Sequence, residues 1–189
     1  MKIFLAILLF AVSGAGTQSP SEHRLAASLQ RKLDYIHENG QARRPSSAPT
    51  IMTEDEINDY FAAGNMKIPP GVKKITLEGK SGTIWALAVI DFDEIRAGQR
   101  SSNPLLAMFS GLHNVNIEAD AAGVSGKGKV HVRGVSIDGI NVPNIALAFF
   151  VEKFLTPKYP NVGIDSEFEL TDRIDGAVIG YHKLTVTQR

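Results

Sequence analysis

Apolar positions near the start of the chain recur with the spacing of an amphipathic helix. They fall three or four residues apart at Leu25, Leu29, Leu33 and Ile36. This spacing places them in one apolar stripe on an otherwise charged helix. The helix is predicted to begin at a capping box formed by Ser19 and Glu22. Gly40 is the expected C-cap, and the Pro- and Ser-containing residues 41–50 are predicted to be a linker. Residues 17–50 are therefore expected to form a helical appendage on the main domain.

A second helix is predicted from the residues at its two ends. Thr53 precedes Glu56 by three positions, which is the spacing of a capping box. Met52 is expected to pack on Ile57 as a hydrophobic staple, and Gly64 is expected to end the helix. The residues predicted to lie on its buried side are Ile57, Tyr60 and Phe61.

From Val72 onward the apolar residues alternate with polar ones, which is typical of strands. One hairpin is predicted to turn at residues 79–82 and a second to span residues 114–135. A tight turn is expected at Asp138 and Gly139, and a last hairpin is expected to turn near Gly180. Because these connections are local, the strands are predicted to be antiparallel, and the fold class is predicted to be α+β.

Three segments carry more apolar residues than one buried face needs. The strand at residues 83–92 is apolar on both faces, so both faces are expected to be covered. Residues 103–112 are predicted to contain a short helix without a polar side. In residues 143–155 a helix is expected to begin at the cap Asn144, and its second apolar stripe consists of Ile145 and Phe149. Its main apolar face is predicted to carry Leu147, Phe150, Val151, Phe154 and Leu155.

Three arrangements account for this apolar surplus. The segments cover one another in a single core, they line a groove or tunnel for an acyl chain or a similar apolar ligand, or they form a hydrophobic dimer face. Apolar ligand sites are concave and are often built between secondary-structure elements. The residues predicted to contact a ligand in the second arrangement are Trp85, Leu87, Val89, Leu105, Leu106, Met108, Phe109, Ile145 and Phe149.

Composition narrows the class of protein. The 189 residues carry no net charge and no cysteine, which is typical of one globular domain with its own core. The absence of a basic cluster disfavours nucleic acid as a partner. Without cysteine the chain has no disulfide framework, no lipid-modified cysteine and no cysteine ligand for structural zinc.

The first residues have the features of a signal peptide. Lys2 precedes the apolar residues 3–12, and the small residues 13–16 follow. We expect residues 1–16 to be cleaved off after Ala15 or Gly16, and the mature protein to be exported and to be periplasmic or secreted. The alternative is an uncleaved membrane anchor, which the short apolar stretch disfavours because a span needs about 20 residues.

No motif in the sequence indicates catalysis, a metal or a cofactor. The five histidines do not have the spacing of a metal site. Asp91, Asp93 and Glu94 are interpreted as strand-end and helix-capping acids, and His131 as a solvent-facing strand residue. The glycines of residues 123–128 lack the Walker spacing and are explained by a hairpin turn. The protein is therefore predicted not to be an enzyme.

Residues 53–64 and 68–93 resemble the opening of small exported bacterial proteins of the tubular lipid-binding (TULIP-like) type. Residues 136–155 and 168–188 follow the same order of elements. The resemblance implies that residues 51–189 form a TULIP-like domain, in which a long curved antiparallel sheet wraps a long apolar helix.

This resemblance implies that the protein binds or carries a lipid or another apolar small molecule in the bacterial cell envelope, without catalysis. The resemblance is compatible with transient contact between the protein and the membrane. It indicates no particular protein partner. The alternative is a structural or protein-interaction module with a fully packed core and no ligand.

Overall fold

The computed structural model describes residues 23–97, 110–152, 156 and 163–189, and within them the fold is α+β as predicted. The helices are α1 (Arg24–Gln41), α2 (Glu54–Ala62), α3 (Phe92–Ala97) and α4 (Asn144–Phe150). The strands are β1 (Thr50–Thr53), β2 (Val72–Lys80), β3 (Thr83–Asp91), β4 (Leu112–Val124), β5 (Lys127–Ile137), β6 (Ile140–Asn141), β7 (Asp165–Glu169), β8 (Ile174–Gly180) and β9 (Lys183–Gln188).

The described strands form one antiparallel sheet with the order β1-β9-β8-β4-β3-β2. On the other side of β4 lies β5, which also pairs with β6 and β7. The predicted hairpins are confirmed, since β2–β3, β4–β5 and β8–β9 each pair with their neighbour in sequence. The turns at Ser81–Gly82, Ser125–Gly126 and Asp138–Gly139 have positive φ at both residues, which is the geometry that matches the twist of a hairpin.

The long β4–β5 hairpin divides the sheet into two halves. One edge of β4 pairs with β3 over residues 112–120 and then with β8 over residues 122–124. We call the part with β1, β7, β8, β9 and the hairpin turn the near half, and the part with β2, β3, β6 and the open end of the hairpin the far half.

Helices α1 and α2 pack together, α1 beside β1 and β9 and α2 mainly beside β2, and the buried core that they form lies mostly on the near half. The largest side chains that are almost completely buried are Leu29, Ile36, Met52, Tyr60 and Ile174. Because α1 supplies residues to the same apolar cluster as the sheet, it is not the appendage that we expected. Leu29 and Ile36 of its apolar stripe are buried in this cluster. No local pattern in the sequence indicates which residues cover the stripe.

The predicted capping box of α2 is confirmed, and its Glu56 is also one of the polar links between the two helices. Thr53 Oγ1 accepts from the Glu56 backbone N–H, and the Glu56 carboxylate accepts from the Thr53 N–H. The same carboxylate is buried and accepts from Lys32 Nζ at 2.6 Å and Ser28 Oγ at 2.7 Å. Burial opposes ionisation of Glu56, but these hydrogen bonds outweigh it and hold its pKa below the ordinary value.

Two predicted helix caps are wrong. Gly40 lies inside α1, and the helix is capped at Ala42. A Cβ atom on Gly40 would lie 2.5 Å from the backbone oxygen of Asp172, so glycine is needed there for close packing. In α4 the Leu147 N–H donates to the Pro143 oxygen at 3.0 Å, which makes Pro143 the N-cap and Asn144 the first helical residue.

The first helix and the last strand are joined by the buried side chain of Gln188. Its Nε2 donates to the backbone oxygens of Ile36 at 2.7 Å and Asp172 at 2.6 Å, and its Oε1 accepts from Asn39. In addition β1 pairs with β9 along its whole length. The beginning and the end of the domain are therefore held together.

Several predicted features lie outside the described residues. They are the signal peptide at residues 1–16, the capping box of the first helix, the short helix after Asn103, and the extension of α4 over residues 153–155. Among the residues that the structure does describe, α4 is seven residues long, and no long apolar helix is wrapped by the sheet.

Candidate functional site

Helix α2 is fixed against the edge of the sheet by side chains that replace a neighbouring strand. Asn58 Nδ2 donates to the Leu77 oxygen at 2.8 Å, and Asn58 Oδ1 accepts from the Leu77 N–H at 2.7 Å. Glu54 Oε2 accepts from the Gly79 N–H at 2.9 Å. These bonds cover the edge of β2 near its turn and hold α2 at a defined distance from the sheet.

A groove with a volume of about 1080 Å³ lies beside this contact, between α1 and α2 on one side and β2 on the other. Because both walls are regular elements joined by hydrogen bonds, the groove is preformed. Its lining residues are Arg24, Leu25, Asp55, Asn58, Asp59, Phe61, Ala62, Ile68, Lys73, Lys74, Ile75 and Thr76.

The apolar part of the groove comes from all three walls. Phe61 and Ile75 are half-buried, and Phe61 packs with its inner side against the main core. Ile68 is half-buried in the segment that leads from α2 to β2. Leu25, at the start of α1, is 41% exposed. The four side chains form an incomplete apolar surface to which a ligand can add contacts.

Some of the charged groups in the groove are satisfied within the protein. Lys73 Nζ binds the Glu94 carboxylate. Asp59 accepts from His23 Nδ1 and from the Ala26 N–H, both at 2.8 Å. The His23 hydrogen bond is the main reason that the pKa of Asp59 lies below its ordinary value.

The predicted ligand residues on β3 lie together on one face of the sheet, outside the groove. Trp85 and Val89 are half-buried, and Leu87 is 43% exposed. The expectation that both faces of β3 are covered is therefore wrong at Leu87. The reason lies in the neighbouring strands, which place polar residues beside this stripe and give no apolar layer to pack against. These pairs are Glu78 and Glu118 beside Trp85, and Thr76 and Asn116 beside Leu87.

The predicted second apolar stripe of α4 is exposed. Ile145 is 83% exposed and Phe149 is 43% exposed, whereas Leu147 on the other side of the helix is buried. Neither Ile145 nor Phe149 lines the groove. The four remaining predicted ligand residues, Leu105, Leu106, Met108 and Phe109, lie outside the described residues.

The sequence pattern does not predict the groove. Leu25 and Phe61 lie in stripes that predict buried helix faces, and no pattern indicates a role for Ile68 or Lys74. The sequence contains only a weak indication of the groove. Leu25 is the first residue of the apolar stripe that continues at Leu29, and the first turn of a helix can extend past the element on which the rest of the helix packs. Assembly of the groove depends on the packing of α2 against β2, which involves residues about twenty positions apart in sequence.

The histidines of the described residues are held in separate pairs with carboxylates and do not form one cluster. Each of the five histidines contacts a carboxylate through Nδ1, at 2.6 to 2.9 Å, and these pairs lie at five separate places. No group of three or more metal-ligating side chains occurs in this part of the chain. Asp91 Oδ1 accepts from the Asp93 and Glu94 N–H groups, which confirms the predicted capping role of this acidic segment.

Two further findings bear on function. Within the described ranges, no helix combines the length and the apolar character needed to span a bilayer. The chain matches no protein-family model, no curated protein and no solved structure. The function is therefore inferred from the groove and from the exposed apolar side chains.

Proposed function

We propose that the protein binds and carries a lipid or another apolar ligand, without catalysis, after export to the bacterial cell envelope. The groove between α1, α2 and β2 carries this proposal, because it combines a large volume with an apolar surface that the protein leaves incomplete. The tubular arrangement of a curved sheet around a long apolar helix, with transient membrane contact, belongs to the same proposal.

The size and lining of the groove suit an acyl chain. Small-molecule sites usually occupy about 300–1,000 Å³, and the groove reaches about 1080 Å³. Burial of apolar ligand surface supplies roughly 25 cal/mol per Å², which gives useful affinity without a covalent or metal contact. We expect low selectivity for chain length, because one methylene changes binding by only about 1–3 kcal/mol.

The exposed apolar side chains give the proposal a second support. Leu87, Ile145 and Phe149 are large, apolar and at least two-fifths exposed. Exposed apolar patches often mark sites of ligand, membrane or protein contact. In this proposal the predicted ligand residues of β3 and α4 contact the bound molecule or the membrane that supplies it.

The test compares lipid content in charge-substituted variants. The mature protein is purified from its native source, extracted with organic solvent and analysed by mass spectrometry. We expect Leu25→Asp to remove most co-purified lipid, because it places a charge in the groove. Tyr35→Asp is the control: Tyr35 lies on the same helix, is 43% exposed compared with 41% for Leu25, and does not line the groove.

A second pair of variants tests α4. Phe149→Asp is expected to lower lipid content while the protein stays folded, whereas Leu147→Asp is expected to destabilise the fold because Leu147 is buried.

An extract without lipid from the unmodified protein would refute the proposed function. Equal lipid content in the Leu25→Asp and Tyr35→Asp variants would refute the groove as the site.

The second candidate function is a protein-interaction module. The observation that favours it is the exposure of Leu112 and Ile140 at the open end of the β4–β5 hairpin, in addition to Ile145. Sedimentation velocity of the mature protein tests the self-association form of this candidate. A concentration-dependent dimer that Ile140→Asp abolishes would support it, and a monomer at all concentrations would contradict that form.

A further inference from the structure

Resting on the proposed function, we infer that the ligand of the groove is an acyl amphiphile with an anionic head group, which Arg24 and Lys74 bind. The chemical class is a long-chain carboxylate or a lipid with a comparable single negative charge. Arg24 extends from the first turn of α1 and Lys74 from β2, so the two cations line the groove from opposite walls.

The other charged groups of the groove leave these two cations available. Lys73 is bound to Glu94, and Asp59 is bound to His23 and to the backbone of α1. Neither Arg24 nor Lys74 has an ion pair or a side-chain hydrogen bond within the described part of the chain. The Arg24 guanidinium offers several N–H donors in a fixed plane, which suits carboxylate and phosphate oxygens.

One lining carboxylate, Asp55, also has no ion pair within the described ranges. It lies in the first turn of α2, where the positive end of the helix dipole offsets part of its charge. Two free cations therefore oppose one partly compensated anion, and the balance favours a negatively charged ligand. The acyl chain then lies on Phe61 and Ile75.

Other occupants fit the groove less well. A peptide added as a strand needs a free edge, but Asn58 and Glu54 already occupy the edge of β2 near its turn. Beyond that point a bulge between Val72 and Lys74 interrupts the strand, and bulges and lysines are features that protect edges from pairing. A second copy of the chain paired through the same edge of β2 would bring Lys74 near its own counterpart, which like charges disfavour.

The experiment measures displacement of a fluorescent fatty-acid probe, cis-parinaric acid, from the delipidated mature protein. The competitors are oleate and monoolein, which share one acyl chain but differ in head-group charge, and each is used below its micelle concentration. We expect oleate to bind about tenfold more tightly than monoolein, since two partly exposed cations each contribute modestly. This preference should shrink as NaCl is raised, because salt screens exposed charges.

The double variant Arg24→Gln/Lys74→Gln should bring the oleate-to-monoolein affinity ratio close to one. The matched control is Arg31→Gln/Lys80→Gln, which removes one exposed cation from α1 and one from β2 outside the groove. This control should keep the ratio of the unmodified protein. Acetate and inorganic phosphate should not displace the probe, which separates an amphiphile from a free anion.

The outcomes distinguish the inference from the proposed function. Equal binding of oleate and monoolein by the unmodified protein, or a preference that survives in the Arg24→Gln/Lys74→Gln variant, overturns the head-group inference and leaves apolar binding intact. Displacement by acetate or phosphate also overturns it. If neither the probe nor either lipid binds, the proposed function fails together with the inference.

Discussion

Substitution of Leu29 by alanine tests whether α1 belongs to the main core. Leu29 is fully buried, with 0% of its surface exposed, and it lies in the apolar cluster that joins α1, α2 and the near half of the sheet. Truncation of such a leucine removes buried methyl groups and leaves a cavity, which together cost about 2–5 kcal/mol. We take about 3 kcal/mol, which in a domain of this size corresponds to a fall in melting temperature of roughly 6–12 °C.

The assay is urea unfolding of the mature protein, followed by the fluorescence of Trp85. Trp85 is the only tryptophan and lies on β3, away from α1. If α1 shares the core, the Trp85 transition moves to lower urea in the Leu29→Ala variant. The control Leu25→Ala, at an exposed position of the same helix, should lower stability by less than about 1 kcal/mol.

A different pattern would refute this reasoning. If α1 were an independent appendage, Leu29→Ala would reduce helical circular dichroism but leave the midpoint of the Trp85 transition unchanged. The same result would remove the packing of α1 against α2 and with it one wall of the groove.

Three further predictions concern other positions. Gly40→Ala should destabilise the protein by more than about 2 kcal/mol in thermal unfolding, because its Cβ meets the Asp172 backbone at 2.5 Å; a neutral result would contradict the close approach. The hydrogen bond between His113 and Asp138 raises the pKa of His113 and lowers that of Asp138. The pair therefore stabilises the fold most at a pH between the two pKa values. The His113 contribution is complete below about pH 6.5 and is lost as the pH rises through its raised pKa, while the Asp138 contribution is lost as the pH falls through its lowered pKa. His113→Gln should therefore reduce the difference in urea midpoint between pH 5.5 and pH 8.5, and an unchanged difference would exclude this pair as its source. Expressed with a C-terminal tag in a Gram-negative host, the chain should lose residues 1–16, and intact mass would show retention if the export prediction is wrong.

The features that sequence analysis predicted correctly are local. A capping box needs only residues three positions apart, and Thr53 and Glu56 have that spacing. A tight hairpin needs two adjacent residues that tolerate positive φ, as in Ser125–Gly126. Such signals are contained in a few consecutive residues, so distant packing does not alter them.

The errors come from contacts between distant segments. Gly40 looks like a helix C-cap until Asp172, more than a hundred residues later, is packed against it. Likewise the stripe of α1 does not show whether it is covered by the domain or only by its own linker.

None of the predicted ligand residues that the structure describes lines the groove. Sequence analysis identified the apolar surplus, and Leu87, Ile145 and Phe149 are exposed. The groove was missed because its walls are joined by contacts between separate elements, among them the bonds between Asn58 and the backbone of Leu77. An asparagine in the middle of a short helix gives no sign that it replaces a strand partner.

The closure of the domain by Gln188 and by the β1–β9 pairing has a consequence for biosynthesis. Until β9 has left the ribosomal exit tunnel, β1 has no strand beside it and the apolar side of α1 has no complete surface to bury against. A nascent chain therefore cannot acquire its native core stepwise from the N-terminus, and contacts between such distant segments form slowly. Deletion of residues 184–189, which removes most of β9, should consequently abolish the whole fold and not merely fray one edge.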